Sequence, residues 1–160
     1  MKKAAVLIIL SILLSGFASA GERKTTISVM DLNITSGITQ KEVVMLTDKL
    51  LNELVMMRYY EVVERSKRDE ILKEQGFQMT GACDQTSCLV EAGQLLGAQK
   101  MIGGTIGKFG TVYAVELRMI DIGTGKVDCS FSKQYAGDLS NLLNAMKEAA
   151  EAFSRWRPAA

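Results

Sequence analysis

The chain has 160 residues, 19 Lys and Arg against 18 Asp and Glu, three cysteines and no histidine. That length suits one domain with a core of ordinary size, and the near-neutral charge leaves neither a basic face for nucleic acid nor a polybasic patch for anionic lipid. The missing histidine excludes a Ser-His-Asp triad, a Cys-His pair and every His-based metal site.

The chain opens MKKAAVLIILSILLSGFASAGERK. Lys2 and Lys3 form a basic start, residues 4–14 are largely apolar, and Ala18-Ser19-Ala20 supplies the small residues a signal peptidase requires, so a secretory signal cleaved after Ala20 is expected. The apolar run is about half the ~20 residues needed to span a bilayer. Leu14-Ser15-Gly16 would begin a lipoprotein signal if Cys followed, but position 17 is Phe and offers no thiol for a lipid. The expectation is an exported, periplasmic, unlipidated protein with only indirect membrane association, residues 1–20 being removed and 21–160 forming one domain. Without Lys2 and Lys3, 17 basic residues stand against 18 acidic, a net charge of −1. A single proline (Pro158) and the absence of a low-complexity tract or a 20–50-residue repeat give no internal boundary.

Residues 25–32, TTISVMDL, are rich in β-formers and predict a first strand, with Asp31 near its end; NITSGIT after it is turn-like. From 40 to 57, Val43, Leu46, Leu50, Leu54 and Met57 recur at helical spacing, widened by Val44, Leu51 and Val55. Thr39 is placed to cap this helix, and Glu42 completes a capping box. Residues 60–64 read as a short strand. A helix capped by Ser66 follows, carrying Ile71, Leu72 and Gln75 and stopping at Gly76. This opening resembles a β-α-β unit with a parallel pair. After the Cys83/Cys88 stretch, a short helix over 89–96 ends at Gly97, and strands follow at 99–106, 112–122 and 126–135, the last two joined by the Gly123-Thr124-Gly125 turn. In the middle strand Tyr113, Val115, Leu117 and Met119 face one way and Glu116 and Arg118 the other, so one sheet face is packed and the other at least partly wet. Leu139, Leu142, Leu143, Met146, Ala150 and Phe153 stripe a closing helix. The fold class expected is an α/β (α+β) two-layer sandwich: a mixed sheet of about five strands with helices on one face, in the order β-α-β-α-α-β-β-β-α.

Several segments invite a chemical reading. In GACDQTSC, Cys83 and Cys88 stand with four residues between them. In an oxidising compartment they close a small loop as a structural disulfide; a redox-active pair is the alternative, although thioredoxin chemistry uses Cys-x-x-Cys, and free thiols or a metal the remaining one. Cys129 shares its strand face with Val127, Phe131 and Tyr135 and reads as a small buried hydrophobe, or as the source of an intermolecular bridge. The glycine-rich stretch 103–110 lacks the spacing of a phosphate loop, and its glycines fit strand bends and close packing. No cofactor is implied. The run 61–70 mixes both charge signs; a solvated helix face is one reading, a polar contact surface carrying Arg65, Lys67 and Arg68 the other. Asp31 and Asp121, both near strand ends, are the carboxylates from which an acid/base pair could be imagined. Met45, Met57 and Met119 fall in helix or strand segments and read as packing. Arg155-Trp156-Arg157 either docks on a partner or is a helix end folded back on the core.

The order of TISVMDL, YYEVVERSKRDEILKEQGFQMTGACDQTSC and VEAGQLLGAQKMIGGTIGKFGTVYAVELRMIDIGTGKV resembles the periplasmic domain of the CsgG family, the curli production assembly and transport component, over roughly residues 25–154. The penicillin-binding-protein activator LpoB and the TolB N-terminal domain are similar more loosely. The resemblance implies an envelope protein that binds and assembles without catalysis, with envelope proteins, and a second copy of itself, as partners. Pore-forming members of the family are lipid-anchored and carry extra amphipathic hairpins. Phe17 and the chain length depart from that pattern, which favours a stand-alone periplasmic module. Two other functions stay open: a regulator of a cell-wall synthase, as in LpoB, and a periplasmic thiol oxidoreductase using Cys83 and Cys88.

Overall fold

A computed structural model describes residues 24–77, 83 and 85–156; the expected signal segment and Arg157 lie outside them. In chain order the elements are β1 (Thr25–Val29), β2 (Asn33–Ile34), α1 (Gln40–Met57), β3 (Tyr60–Val62), α2 (Arg65–Glu74), α3 (Thr86–Leu96), β4 (Lys100–Phe109), β5 (Val112–Asp121), β6 (Val127–Ala136) and α4 (Asn141–Arg155). The sheet runs β3-β1-β4-β5-β6, with β2 pairing β4 off this path. β1 is parallel to both β3 and β4, and β4-β5-β6 is an antiparallel meander, so the expected mixed sheet is present. β2 lies in the stretch expected to be a turn. Its two residues pair with Thr105 and Ile106 and extend the parallel edge begun by β1.

α1 starts where its capping signal predicts. The Thr39 hydroxyl accepts from the Glu42 amide at 3.3 Å, and the Glu42 carboxylate accepts from the Thr39 amide at 2.7 Å, closing the capping box. Val43, Leu46, Leu50 and Leu54 turn inward and are buried, each burial contributing about 2 kcal/mol. With α4 they cover one sheet face, made of Ile27, Val29, Ile102, Ile106, Val115, Leu117, Met119 and Phe131. The Tyr60 hydroxyl donates to the Phe153 carbonyl at 2.7 Å and ties the edge strand β3 to the end of α4.

The one-sided arrangement of helices holds for α1 and α4 only. α2 and α3 lie on the opposite face, where Leu72, Leu89 and Ala92 pack on Met30, Met101, Ile120 and Ile122 as a second, smaller core. Two glycines let α3 sit this close. A Cβ at Gly93 would fall 2.5 Å from Ile122 Cδ1, and one at Gly103 would fall 2.9 Å from Leu89. Farther along the same face, the strand positions are Thr105, Glu116, Ser130 and Ser132, small or polar residues as the alternation in β5 and β6 predicts.

The two layers meet around the end of β1. Arg68 of α2 is fully buried. Its guanidinium donates to the Val29 carbonyl, to Asp31 at 2.9 Å and to Asp69 at 2.7 Å. Arg65 donates to the second oxygen of Asp31 at 2.6 Å and reaches Asp48 on α1 at 3.4 Å. Removing one partner of a buried ion pair strands the other charge and costs about 3–5 kcal/mol, whereas replacing the buried charge by an apolar side chain of similar volume is often near neutral. Asp31→Ala leaves the Arg68 guanidinium buried with less than its full set of acceptors. Arg68→Met removes the buried charge and leaves Asp31 paired with Arg65. Urea unfolding should therefore show Asp31→Ala losing about 3 kcal/mol or more, and Arg68→Met losing clearly less.

Candidate interaction surface

The residues expected to be partner contacts divide between opposite sides of the sheet. Arg68 offers no surface: it is fully buried because its donors are needed at the β1 terminus. Arg65, only partly exposed, is committed to Asp31 and Asp48. Lys67 is exposed and paired with Glu70 at 2.8 Å, beside an open groove of about 680 Å³ lined by Val62, Ser66, Ile71 and Leu96. Arg155, at the end of α4, is exposed and paired with Glu151 at 3.0 Å.

Trp156 is folded back against the first core. The Lys100 ammonium lies 4.9 Å from its ring centroid, within cation–π range, and also donates to Asp121 at 2.6 Å and Asp128 at 2.5 Å. This cluster gathers the start of β4, the end of β5 and the start of β6 under the end of α4. Burial opposes the charged Lys100 ammonium, but its hydrogen bonds to Asp121 and Asp128 outweigh that and raise its pKa. The Lys100 hydrogen bond, opposed by burial and helped by donation from Thr124, holds the Asp121 carboxyl at about 2. Asp31 and Asp121 thus belong to separate clusters, each bound to its own cations, and do not form an acid/base pair. On β6, the Tyr135 hydroxyl and the Lys133 ammonium both donate to Glu148, at 2.9 and 2.7 Å, and fasten the edge strand to α4. Burial first, and then the Glu148 carboxylate, push the Tyr135 phenol upward.

Cys83 and Cys88 form a disulfide, with 5.6 Å between their Cα atoms. Both pack with the second core, Cys83 nearly inaccessible. α3 begins at Thr86, three residues before the expected start, so Cys88 lies in its first turn and the bridge fastens that turn to the preceding chain. Cys129 is a free thiol, half-buried beside the first core and opposite Met119; burial raises its pKa, with the Asp128 charge adding to the effect. Among the described residues, no group of three His, Cys, Asp or Glu is placed to hold a metal, and no helix is long and apolar enough to cross a membrane.

Two surface features escaped the reading of the sequence. Met45, expected in the core, is 59% exposed, and Met56, three helical turns on, is 73% exposed. Leu143 of α4 shares an apolar groove with Met45, Leu46 and Leu139, while Val55 and Tyr59 are exposed near Met56. The spacing of Met45 and Met56 was legible; what hid their exposure was the breadth of the apolar stripe, widened by Val44, Leu51 and Val55, which made further apolar positions look like core. The second feature is Arg118, in a recess of about 230 Å³ lined by Gly104, Thr105, Glu116, Leu117 and Ser130. Its Nε is buried without a hydrogen-bond partner. Glu116, two residues away on the same face, instead accepts from the Ser132 hydroxyl at 2.8 Å.

A mixed sheet with a parallel β-α-β opening, an antiparallel meander and helices on both faces defines an α+β sandwich. The chain belongs to the family of CsgG, the curli production assembly/transport component, whose model matches residues 17–135. Solved structures share the fold at low identity. The LpoB C-terminal domain from Salmonella enterica is 15% identical with a TM-score of 0.60, over 81% of this chain and 93% of that one. The PelC dodecamer from Paraburkholderia phytofirmans is 15% identical with a TM-score of 0.52, over 87% and 96%. TolB from Acinetobacter baumannii is 12% identical with a TM-score of 0.52, over 82% of this chain and 28% of that one. Among curated protein sequences, none matches the chain.

The disulfide and the Lys100 cluster can each be tested by unfolding. Loss of a loop closure this short removes about 2 kcal/mol, so Cys83→Ser with Cys88→Ser should lower stability by that amount in urea, and alkylation without reduction should label Cys129 alone. The folded pKa of Asp121 lies below its unfolded value of about 3.8. Its stabilisation is therefore complete above that value and lost as pH falls from about 4 towards 2. Lys100, raised, acts in the opposite sense and loses its contribution only above its ordinary value of 10.5. Asp121→Asn should flatten the loss of stability between about pH 4 and 2, measured by urea unfolding at a series of pH values.

Proposed function

We propose that this chain is a non-catalytic periplasmic accessory component of cell-envelope assembly or secretion, acting through protein–protein contacts. Membership of the CsgG family supports the setting. The observation that carries the mode of action is the exposure of apolar side chains on the outer side of the helical layer: Met45 beside Leu143 of α4 near the start of α1, and Val55 and Met56 near its end. Clustered apolar side chains left in water mark contact sites, and methionine adapts to irregular partners. Self-association is part of the reading, and the dodecamer of the similarly folded PelC supports it. A curli-type assembly system is the setting that the family name suggests. Regulation of a cell-wall synthase is the second reading, favoured by the overlap with the LpoB domain across 93% of its length.

A photo-crosslinking residue at Asn52, between the two methionines, tests this in intact cells. The expected result is an adduct with an envelope protein or with a second copy, reduced at least ~5-fold, or about 1 kcal/mol, by Met45→Glu with Met56→Glu. Exposed substitutions of this kind leave folding stability within about 0.5 kcal/mol per site, so loss of the adduct reports contact rather than unfolding. A monomeric solution mass together with no envelope adduct would overturn the proposal, and an adduct confined to a peptidoglycan synthase would select the second reading.

A further inference from the structure

We infer that the recess around Arg118 is a recognition point for a carboxylate presented by an acidic segment of a protein partner. Arg65, Arg68 and Arg155 all meet carboxylates within the chain, and Arg58 is exposed to water at the end of α1. Arg118 differs from both groups. It is half-buried on β5, its Nε is shut away from solvent, and no acceptor among the described residues meets that nitrogen. A polar group buried without a partner costs free energy that a ligand can return.

The surroundings favour an anion. Gly103 and Ser130 flank Arg118 on the neighbouring strands, so no large side chain fills the space beside it. Thr105 and Ser130 line the recess and offer hydroxyls. The nearest carboxylate on this face, Glu116, is turned to Ser132 and forms no ion pair with Arg118, so no described carboxylate is in contact with the guanidinium in the free chain. A planar guanidinium with a fork of donors matches a carboxylate in two parallel hydrogen bonds. The open strand face around it, with Thr105, Ser132 and Glu116, provides a polar rim.

This inference rests on the partner-binding reading but uses the sheet face opposite the exposed α1 methionines, so each can fail alone. The test is a titration of the full mature chain, followed in ¹⁵N-edited NMR by the Arg118 Nε–H signal and the backbone amides of Thr105 and Ser130. The probe is an N-acetylated tetraglutamate amide, with the corresponding tetraglutamine amide and sulfate as controls. The expected result is a saturable shift of all three signals with the glutamate peptide and none with the glutamine peptide. The Thr105 and Ser130 shifts should be lost in Arg118→Gln and weakened at least ~10-fold in Arg118→Lys, whose ammonium cannot form the two parallel bonds. Because the Arg118 Nε makes no hydrogen bond in the free chain, Arg118→Gln should not lower the urea midpoint, which separates lost binding from lost folding. No shift with the glutamate peptide overturns the inference. So does a shift that sulfate reproduces at equal concentration, which marks an adventitious ion only, or a Thr105 and Ser130 shift that survives in Arg118→Gln. Loss of the Asn52 crosslink with this titration intact would instead reject the α1 contact.

Discussion

A buried guanidinium at the end of β1 decides how the two helical layers are placed. Arg68 cannot leave its site without uncoupling α2 from the Val29 carbonyl and from Asp31. Asp31 in turn holds Arg65, which reaches Asp48 on the helix of the other face. Arg65 and Arg68, with Asp31, Asp48 and Asp69, thus bridge from α2 on the second face, past the strand end, to α1 on the first. Hydrophobic packing is non-directional; this network fixes where along the strand direction each layer stops. Such a charge is tolerable only because its donors meet acceptors, a condition that also makes it intolerant of losing one.

The same logic repeats at the start of β4. Lys100 collects Asp121, Asp128 and the Trp156 ring where the chain leaves α4. Between these two ionic clusters the first core is apolar. These two clusters stand where strands end or begin, β1 for Arg68 and β4, β5 and β6 for Lys100, and the apolar contacts of the first core run along the strands. The disulfide completes the arrangement for α3, which lacks a side-chain cap at its N-terminus and is held there covalently by Cys88.

What could be read from the sequence follows from range. α1 was legible because its capping box joins Thr39 to Glu42 within one turn and its stripe repeats every turn. β5 was legible because Tyr113, Val115, Leu117 and Met119 alternate. The disulfide pairing was legible because Cys83 and Cys88 are close in sequence and nothing else competes nearby. Arg68 was not, since its burial is set by Asp31, 37 positions earlier, and in a run of mixed charge it looks like any solvated arginine. β2 is two residues long, too short to show a period. The position of α2 and α3 on the second face was hidden for another reason: Gly93 and Gly103 permit that packing by lacking side chains, and an absent side chain leaves no periodic signal. The exposure of Met45 and Met56 was masked by an excess of apolar residues, where α1 has more than one face needs.

Departures from a surface adapted to water are informative when they cost stability and return none within the chain. Met45, Met56 and Val55 expose apolar area, and Arg118 withholds its Nε from solvent and from every described acceptor. Neither is explained by the core, which is complete without them. They also sit on opposite sides of the sheet, the exposed methionines on the α1–α4 layer and Arg118 on the open part of the face bearing α2 and α3. One rigid, flat partner cannot cover both. If both are contact sites, the domain stands between two neighbours, and its ion-clamped sheet fixes the geometry between them. A spacer of this kind needs no catalytic group, but it does need strand ends that do not slip, and the Arg68 and Lys100 clusters meet that requirement.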